Sequence, residues 1–404
     1  MNIKGFADKV KAFFSNNKWL IIFLLMIPFF NDSYESFKIL PDWVMDRCRI
    51  VVFVILLTIL ILKKKMPSLL LCTLFVMEAW WMITTVINYG PSYSEATYKT
   101  FIDIINALSV AMIVEAFKED GKSLINGLIL NLELAFYPNF ITVIMNHADH
   151  GYYLLGYYAV LILWILPAIC VGALYIILNK KYIRGTILII VSIATAIITW
   201  CATIIVALLG MVGVIILGVL FMCSNKTKNI KLLLSVFVIV ALLGNLFVLF
   251  VYSGGGKFPL VDSFIEHFLG RTTTFTGRTP IWEKAFEMIA LKPWIGYGYR
   301  PSITRADGFI AIHAHNMLIQ RLTATGIVGL ILFVFFHVAL IHKVDRMKNS
   351  IARTIMVGAV FAINITYLMD AYKKFFRFYL VFFLAYHIDE LIANKTNNTD
   401  YLLK

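Results

Sequence analysis

Residues 186–223 read TILIIVSIATAIITWCATIIVALLGMVGVIILGVLFMC and contain no charged side chain. Crossing the hydrocarbon core of a bilayer takes about 20 apolar residues, so this run is long enough for two crossings. Only Trp200, Cys201 and Thr203 mark a turn within it, and basic residues flank the run on both sides. Because the positive-inside rule places both basic flanks in the cytoplasm, we predict two membrane helices here, 186–201 and 203–223.

The rest of the 404-residue chain has the same character, with 60% hydrophobic and 15% charged residues and a mean hydropathy of +0.83. This composition excludes an ordinary soluble domain. It predicts an all-α fold, a polytopic membrane bundle of about twelve transmembrane helices that forms a single integral membrane domain over 1–404. The predicted spans are 19–36, 49–62, 67–88, 100–117, 123–145, 154–178, 186–201, 203–223, 230–252, 317–341, 354–370 and 376–393.

The formal net charge of +13 follows the predicted topology. Lysine and arginine residues cluster at the N-terminus, at 63–65 and at 343–353, which places both termini and these connectors in the cytoplasm. We interpret the excess charge as contact with the lipid bilayer and its anionic head groups, and we expect no nucleic-acid partner. The first eighteen residues have the pattern of an amphipathic helix on the inner leaflet. A cleavable signal is the alternative, but no small-residue cleavage site follows Phe30.

Motifs for metal or nucleotide chemistry are absent from the sequence. The five cysteines are scattered without metal-ligand spacing, and there is no Walker loop, dinucleotide fingerprint or H-E-x-x-H motif. We therefore expect neither a metal nor a cofactor, and any driving force for a reaction must come with the substrate.

The most informative segment, 253–315, is the longest polar connector, and long loops in compact proteins tend to be functional. The topology places it outside the membrane as an extracytoplasmic loop carrying short amphipathic helices. Thr279 is the predicted cap of one such helix, with Pro280 at its first position and Lys292-Pro293 as its stop signal. Its apolar stripe predicts a helix resting on the bilayer surface and consists of Ile281, Trp282, Ala285, Phe286 and Ile289.

Arginines in this segment run against the positive-inside trend and indicate an anionic ligand. Arg278 directly precedes the predicted helix, whose free N–H groups and dipole favour a phosphate. Arg271, Arg300 and Arg305 add positive charge to the same segment. The alternative for each arginine is that it reaches lipid phosphates instead.

The run His313-Ala314-His315-Asn316, followed by Gly326 and Gly329, resembles the signature of the O-antigen ligase and polymerase superfamily of bacterial membrane glycosyltransferases. The preceding segment is similar to that family's outer loop, with Gly277, Arg278, Trp282, Pro293, Gly296 and Gly298 in the same order. The resemblance implies a protein of the bacterial inner membrane with an active site on the extracytoplasmic face. It also implies transfer of glycan from an undecaprenyl-pyrophosphate-linked oligosaccharide donor to the hydroxyl of a glycan acceptor. A chain-length regulator and a flippase are further candidate partners.

One feature departs from the family pattern. Such proteins commonly carry a Ser-Arg pair at the outer start of an earlier span, whereas residues 199–205 contain no arginine. Arg271, Arg300, Arg305 or Arg377 are the candidates to replace that second pyrophosphate-binding arginine.

His315 is the predicted catalytic base, because a sugar hydroxyl is a weak nucleophile and histidine titrates near neutral pH. It precedes a predicted membrane helix whose dipole disfavours imidazolium, so we expect a neutral ring. The alternative is an interfacial histidine hydrogen-bonded to a neighbour, which is the favoured interpretation for His313. Asn316 either orients a reacting group or caps the helix, and Arg278, Trp282 and His313 complete the predicted substrate site.

Further residues in the predicted spans also call for an explanation. Gly326 and Gly329 would let a neighbouring helix approach closely. Ionisable side chains inside spans are functional candidates by default, and these are Glu78, Asp103, Glu133 and Asp370.

Three functions fit these features. The first is a polymerase that joins lipid-linked repeat units into O-antigen, capsule or exopolysaccharide, and it is favoured because the outer loop is of modest length. The second is a ligase that moves a finished glycan to a lipid or protein acceptor. The third is a flippase or other transporter of lipid-linked sugars, but transporters place broken helices and charges near the midplane, whereas the distinctive residues here lie toward one surface.

Overall fold

The computed structural model describes residues 17–30, 41–91, 95–145, 151–223, 227–250, 278–299, 301–304, 308, 310–371 and 375–393. Helices dominate these residues, and we number them in chain order. They are α1 (Lys18–Phe30), α2 (Asp42–Leu62), α3 (Leu69–Tyr89), α4 (Glu95–Phe117), α5 (Gly121–Met145), α6 (Ile162–Asn179), α7 (Tyr182–Thr199), α8 (Ala202–Cys223), α9 (Thr227–Phe250), α10 (Thr279–Leu291), α11 (Met317–Asp345), α12 (Ile351–Met369), α13 (Phe376–Tyr386) and α14 (Ile388–Ala393).

The predicted multi-pass helical membrane fold is confirmed. Each predicted span overlaps a helix, and within the described residues eight helical segments are long and apolar enough to cross a membrane. The helix α2 carries Asp46, Arg47 and Arg49 in its first two turns, while α1 and α13 are shorter than a full crossing. The total of twelve crossings therefore stays a prediction.

The turn between the two helices of 182–223 lies where the sequence predicts it. Thr199 ends α7, and Trp200 adopts a left-handed conformation with φ of 45° before α8 begins at Ala202. A left-handed residue ends an α-helix because it points the chain away from the helix axis. The uncharged run is thus split into two helices.

The segment that precedes α11 differs in detail from its prediction. Arg278 occupies the cap position of α10 and the helix begins at Thr279, one residue earlier than predicted. The two-residue strands β3 (Ile303–Thr304) and β4 (Ile310–Ala311) form an antiparallel hairpin that the sequence did not predict. A second such hairpin, of β1 (Tyr152–Tyr153) and β2 (Gly156–Tyr157), precedes α6.

The helix α11 is sharply bent at Gly326, whose φ of 65° and ψ of −168° are not helical. The Arg321 guanidinium lies 5.5 Å above the ring of Phe333. In a straight helix twelve residues span about 18 Å along the axis, so these side chains meet only because the chain folds back. The bend separates an outer half, which begins beside the predicted base, from a longer inner half.

Most buried apolar side chains form one contiguous core from Ile22 on α1 to Leu391 on α14. A second, smaller cluster lies between α10 and the start of α11. Glu133, a buried acid flagged by the sequence, forms a two-point ion pair with Arg184 at the start of α7. That pairing explains how α5 tolerates a carboxylate.

Candidate active site

Three helix ends converge around the motif that the sequence singled out. His313 and His315 immediately precede α11, Asp370 immediately follows α12, and Arg278 immediately precedes α10. The fold therefore assembles residues that lie up to 92 positions apart in the chain (370 − 278) into one group of ionisable side chains.

The two histidines face one carboxylate. Nδ1 of His313 and Nδ1 of His315 each lie 3.5 Å from Oδ1 of Asp370, which is longer than an ordinary hydrogen bond. The two imidazole rings have centroids 4.1 Å apart, and the backbone N–H of His315 donates to Nδ1 of His313 at 3.3 Å. This geometry makes His313 a support for the loop that carries His315.

His315 is the more accessible ring of the pair and has a strained backbone. Its side chain is 31% exposed, against 17% for His313, and its φ of 50° lies in the left-handed region. Such conformations cost about 1–3 kcal/mol and cluster at functional sites. Nδ1 of His315 is buried beside Asp370, so Nε2 is the nitrogen left to meet a ligand.

Asp370 is largely buried, but its carboxyl group keeps a low pKa. Burial alone would raise its pKa, yet the polar contact with His315 and the electrostatic effects of His313, His315 and Arg278 outweigh burial and hold the pKa below its usual value. The carboxylate is therefore ionised at neutral pH and can stabilise an imidazolium beside it.

Arg278 lies at the N-terminus of α10 with a half-buried side chain. Its Nη1 is 3.7 Å from Sδ of Met369, and its charge acts on Asp370. A guanidinium beside a helix N-terminus provides donors and positive potential suited to a phosphate. Arg271, Arg300, Arg305 and Gly277 lie outside the described residues, so their roles stay predictions.

Asn316 supports the helix-start interpretation. Its Oδ1 accepts from the N–H groups of Leu318 at 2.9 Å and Ile319 at 3.2 Å, and its Nδ2 donates to the carbonyl of Leu368 at 3.2 Å. The side chain is fully buried. Asn316 thus caps α11 and ties its first residue to the end of α12.

Trp282 lies beneath the histidine loop rather than facing outward. The side chain is buried, and its Nε1 donates to the carbonyl of Ala314 at 2.7 Å. The predicted apolar stripe of α10 packs on the protein, with Ile281, Trp282 and Ala285 in the small core that includes Ile319. This finding corrects the expectation of a stripe resting on the bilayer.

A loop fills the bend of α11. The N–H groups of Tyr297 and Gly298 donate to the carbonyls of Thr323 and Ala324 at 2.8 and 2.7 Å, which the break at Gly326 leaves without helical partners. A Cβ on Gly326 would meet the carbonyl of Trp294 at 2.3 Å. The close neighbour at Gly326 is therefore this loop, and the prediction of a neighbouring helix is wrong there.

The filled bend is fastened to α3. The side chain of Asn88 accepts from Lys292 Nζ at 2.6 Å and donates to the carbonyl of Gly296 at 3.2 Å. Trp80 Nε1 donates to the carbonyl of Thr325 at 2.9 Å. Broken helices also occur in transporters, but here backbone from 293–298 occupies the break.

The same cluster is the one group among the described residues with metal-ligand geometry. One ligand atom each of His313, His315 and Asp370 lie within 4.8 Å of one another. The positive charge of Arg278 beside Asp370 would oppose a cation there. The expectation of a metal-free site stays a prediction.

Two other arginines lie deep in the bundle. Arg377, a candidate for the second phosphate-binding arginine, is buried with its guanidinium 4.0 Å above the ring of Trp164. Arg321 is buried above the rings of Phe333 and Phe375 and close to the buried Glu78. Its position inside the predicted span 317–341 is the signal that could have identified Arg321 as a candidate.

Residues 184–334 match a protein-family model described as O-Antigen ligase. The chain is 22% identical over 338 residues to a protein of Rickettsia felis named putative polysaccharide ligase, covering 77% of this chain and 74% of that protein. It is 30% identical over 95 residues, 20% of each chain, to the exopolysaccharide production protein ExoQ of Rhizobium meliloti. These matches confirm the resemblance to the O-antigen ligase and polymerase superfamily.

Proposed function

We propose that this multi-pass membrane protein, whose matched region spans 184–334 in the O-antigen ligase family, polymerises lipid-linked oligosaccharide repeat units into O-antigen, capsule or exopolysaccharide. The donor is an undecaprenyl-pyrophosphate-linked glycan and the acceptor is a sugar hydroxyl on a second glycan. The site lies on the extracytoplasmic face of a bacterial inner membrane.

The observation that carries the proposal is the pairing of His315 with Asp370 at the end of the bundle opposite the basic connectors. Nε2 of His315 takes the proton of the acceptor hydroxyl as its oxygen attacks the anomeric carbon of the donor sugar. The ionised Asp370 holds Nδ1–H and stabilises the imidazolium that forms. The 3.5 Å separation of Nδ1 and Oδ1 shortens when substrate binds, as catalytic hydrogen bonds often do.

Arg278 acts on the leaving group. As the new glycosidic bond forms, the bond between the anomeric carbon and the pyrophosphate oxygen breaks, and undecaprenyl pyrophosphate departs with the electron pair. The guanidinium and the first N–H groups of α10 stabilise the charge that develops on that oxygen. The reaction needs no nucleotide because the pyrophosphate ester supplies the driving force.

A ligase is the second candidate, and the comparisons favour it by name. The matched family is described as O-Antigen ligase and one relative is named putative polysaccharide ligase. The same three residues would then act on a finished glycan and a different acceptor.

The deciding experiment incubates the purified protein in detergent with lipid-linked repeat units alone and then with an added lipid acceptor. A polymerase makes a ladder of longer glycans from the donor alone. A ligase makes a single product, and only when the acceptor is present. A protein that makes neither product but moves lipid-linked sugar across vesicle membranes would contradict both proposals.

A further inference from the structure

The bend in α11 leaves its outer half, 317–325, as a short helix, and His315 and Asn316 lie at the start of that helix. It is shorter than the roughly 12–15 residues at which an isolated helix becomes even marginally stable in water. The position of the outer half, and with it the position of His315, must therefore be set by contacts with the rest of the bundle.

Arg321 is the charged residue of this outer half, and its side chain is buried. Its guanidinium lies 5.5 Å above the ring of Phe333, on the inner half of α11, and 4.9 Å above the ring of Phe375, which precedes α13. Its Nη2 lies 3.5 Å from the hydroxyl of Tyr379 on α13. One side chain thus joins the outer half of α11 to the inner half and to α13.

The contact continues to α3 through Tyr379. The Tyr379 hydroxyl donates to Oε1 of Glu78 at 3.2 Å, and the charge of Arg321 acts on the same carboxyl group. Asp103 on α4 also acts on Glu78. Because Arg321, Tyr379 and Glu78 are all buried, they form a polar connection between α11, α13 and α3 in the interior of the bundle.

Stability alone does not explain a buried arginine at this position. Taking a guanidinium out of water is costly, and only good hydrogen bonds and a close counter-charge offset that cost. Nε of Arg321 and Oε2 of Glu78 have no hydrogen-bond partner among the described residues, and the 3.5 Å contact with Tyr379 is long for a hydrogen bond. An apolar side chain would be at least as stable here, so the charge must contribute something other than stability.

We infer that Arg321 is a positioning residue for the proposed transfer: together with Tyr379 and Glu78 it fixes the angle between the two halves of α11 and so holds His315 against Asp370. Buried charges can specify one packing arrangement even though they cost stability. The inference rests on the proposed role of His315 as the base, and it assigns no contact between Arg321 and the substrate.

Two variants separate positioning from stability. Arg321→Met leaves the Glu78 carboxyl without its counter-charge and should lower the melting temperature in detergent. Arg321→Met/Glu78→Gln removes both charges but keeps an acceptor for Tyr379, so the melting temperature should return to that of the wild type. Turnover of the double variant should stay about tenfold or more below wild type, because a small displacement of a catalytic group is enough for such a loss. The KM for the lipid-linked donor should be unchanged.

Arg353 provides the matched control. It is also a buried arginine that contacts α11, but its Nε donates to the carbonyl of Val344 near the opposite end of that helix, at 2.9 Å. Arg353→Met should lower the melting temperature and leave turnover per folded molecule unchanged. An equal loss of turnover in this variant would mean that any loosening of α11 has the same effect, and it would overturn the inference.

A second measurement follows His315 without relying on the reaction. Diethyl pyrocarbonate acylates accessible imidazole rings, and peptide mass spectrometry assigns the modified residue. In the double variant, acylation of His315 should be several-fold faster than in the wild type, because the ring is released from Asp370, whereas the buried His387 should stay unreactive.

Two further outcomes would overturn the inference: an unchanged rate of acylation at His315 in the double variant, or full recovery of its turnover together with its melting temperature. A wild-type protein that transfers no glycan would instead contradict the proposed function. The acylation rates would still decide whether Arg321 positions His315, because they do not depend on turnover.

Discussion

Two histidine–carboxylate clusters lie at opposite ends of this bundle, and they differ in whether both nitrogens of the histidine ring already have a partner. At the end that the basic connectors predict to be cytoplasmic, Nε2 of His387 lies 2.8 Å from Glu115 and Nδ1 lies 3.2 Å from Glu390, so both ring nitrogens are engaged. The His387 side chain is 1% exposed. At the other end, the His315 side chain is 31% exposed, and its Nε2 has no partner among the described residues.

The comparison shows that a histidine beside a carboxylate is not by itself a sign of catalysis. A ring with two fixed partners cannot accept a proton from a substrate without losing one of them. His387 therefore joins α4 to α13 and α14, whereas His315 keeps Nε2 available for the proposed proton transfer. Substitutions in the two clusters would test this distinction.

Replacing the proposed base should have the largest effect. His315→Ala should lower turnover by about a hundredfold or more, the scale of general-base loss, in a glycan-ladder assay with purified protein. His313→Ala is the matched control and should cost only a few-fold, because the His313 ring is the less exposed of the two and its Nδ1 accepts from the backbone N–H of His315. Equal losses in the two variants would mean that the base is wrongly assigned.

Arg278→Lys should have the second-largest effect on turnover. Lysine keeps the charge but cannot reproduce the planar two-point contact with phosphate oxygens, so we expect turnover to fall about ten- to a hundredfold. The protein should still insert and accumulate. Near-normal polymer output would place the pyrophosphate elsewhere, and Arg271→Lys, Arg300→Lys and Arg305→Lys would then identify the site.

Asp370→Asn should cost roughly tenfold in turnover, because the amide still occupies the space but cannot stabilise an imidazolium. Donor binding, measured separately with a non-transferable donor, should survive. The pKa of Asp370 lies below its usual value, so the wild-type carboxylate stays ionised as pH falls toward about 3.9. If activity falls on acidification at a pH above about 3.9, the cause must therefore be protonation of another group.

The smallest effect on turnover is expected at the buried cluster. His387→Ala removes one shared partner of Glu115 and Glu390 while Lys118 stays paired with both carboxylates, so stability should fall by about 1–3 kcal/mol, the scale of a buried hydrogen bond left unmade. The melting temperature in detergent should fall, while turnover per folded molecule should equal that of the wild type. A selective loss of turnover at unchanged stability would give His387 a role in the reaction.

The sequence predicts the helices better than the contacts between them. Apolar runs and basic flanks are local signals, and they located even the turn at Trp200. The histidine motif and Arg278 were also legible in sequence. The contact between His315 and Asp370 could not be predicted from the sequence, because the two residues are separated by 55 positions (370 − 315) and only the packing of α11 against α12 brings them together.

The bend in α11 shows where hydropathy gives no information. Residues 317–345 read as one apolar helix, and Gly326 within it carries no visible sign of a positive φ. The break exists because the loop 293–298 supplies hydrogen bonds to the carbonyls of Thr323 and Ala324. A glycine inside a span can thus mark close packing or a break, and only the three-dimensional partner distinguishes the two.

That bend also sets the height of the proposed reaction site. Starting from the shared connector at 346–350, the 19 residues of α12 rise about 28 Å, close to the roughly 30 Å of hydrocarbon in a bilayer. The 29 residues of α11 would rise about 43 Å if straight, which would lift His315 well above Asp370 and into bulk water. By folding back at Gly326, the chain returns His315 to the level of Asp370, which in the predicted topology is the level at which the phosphates of the outer leaflet begin.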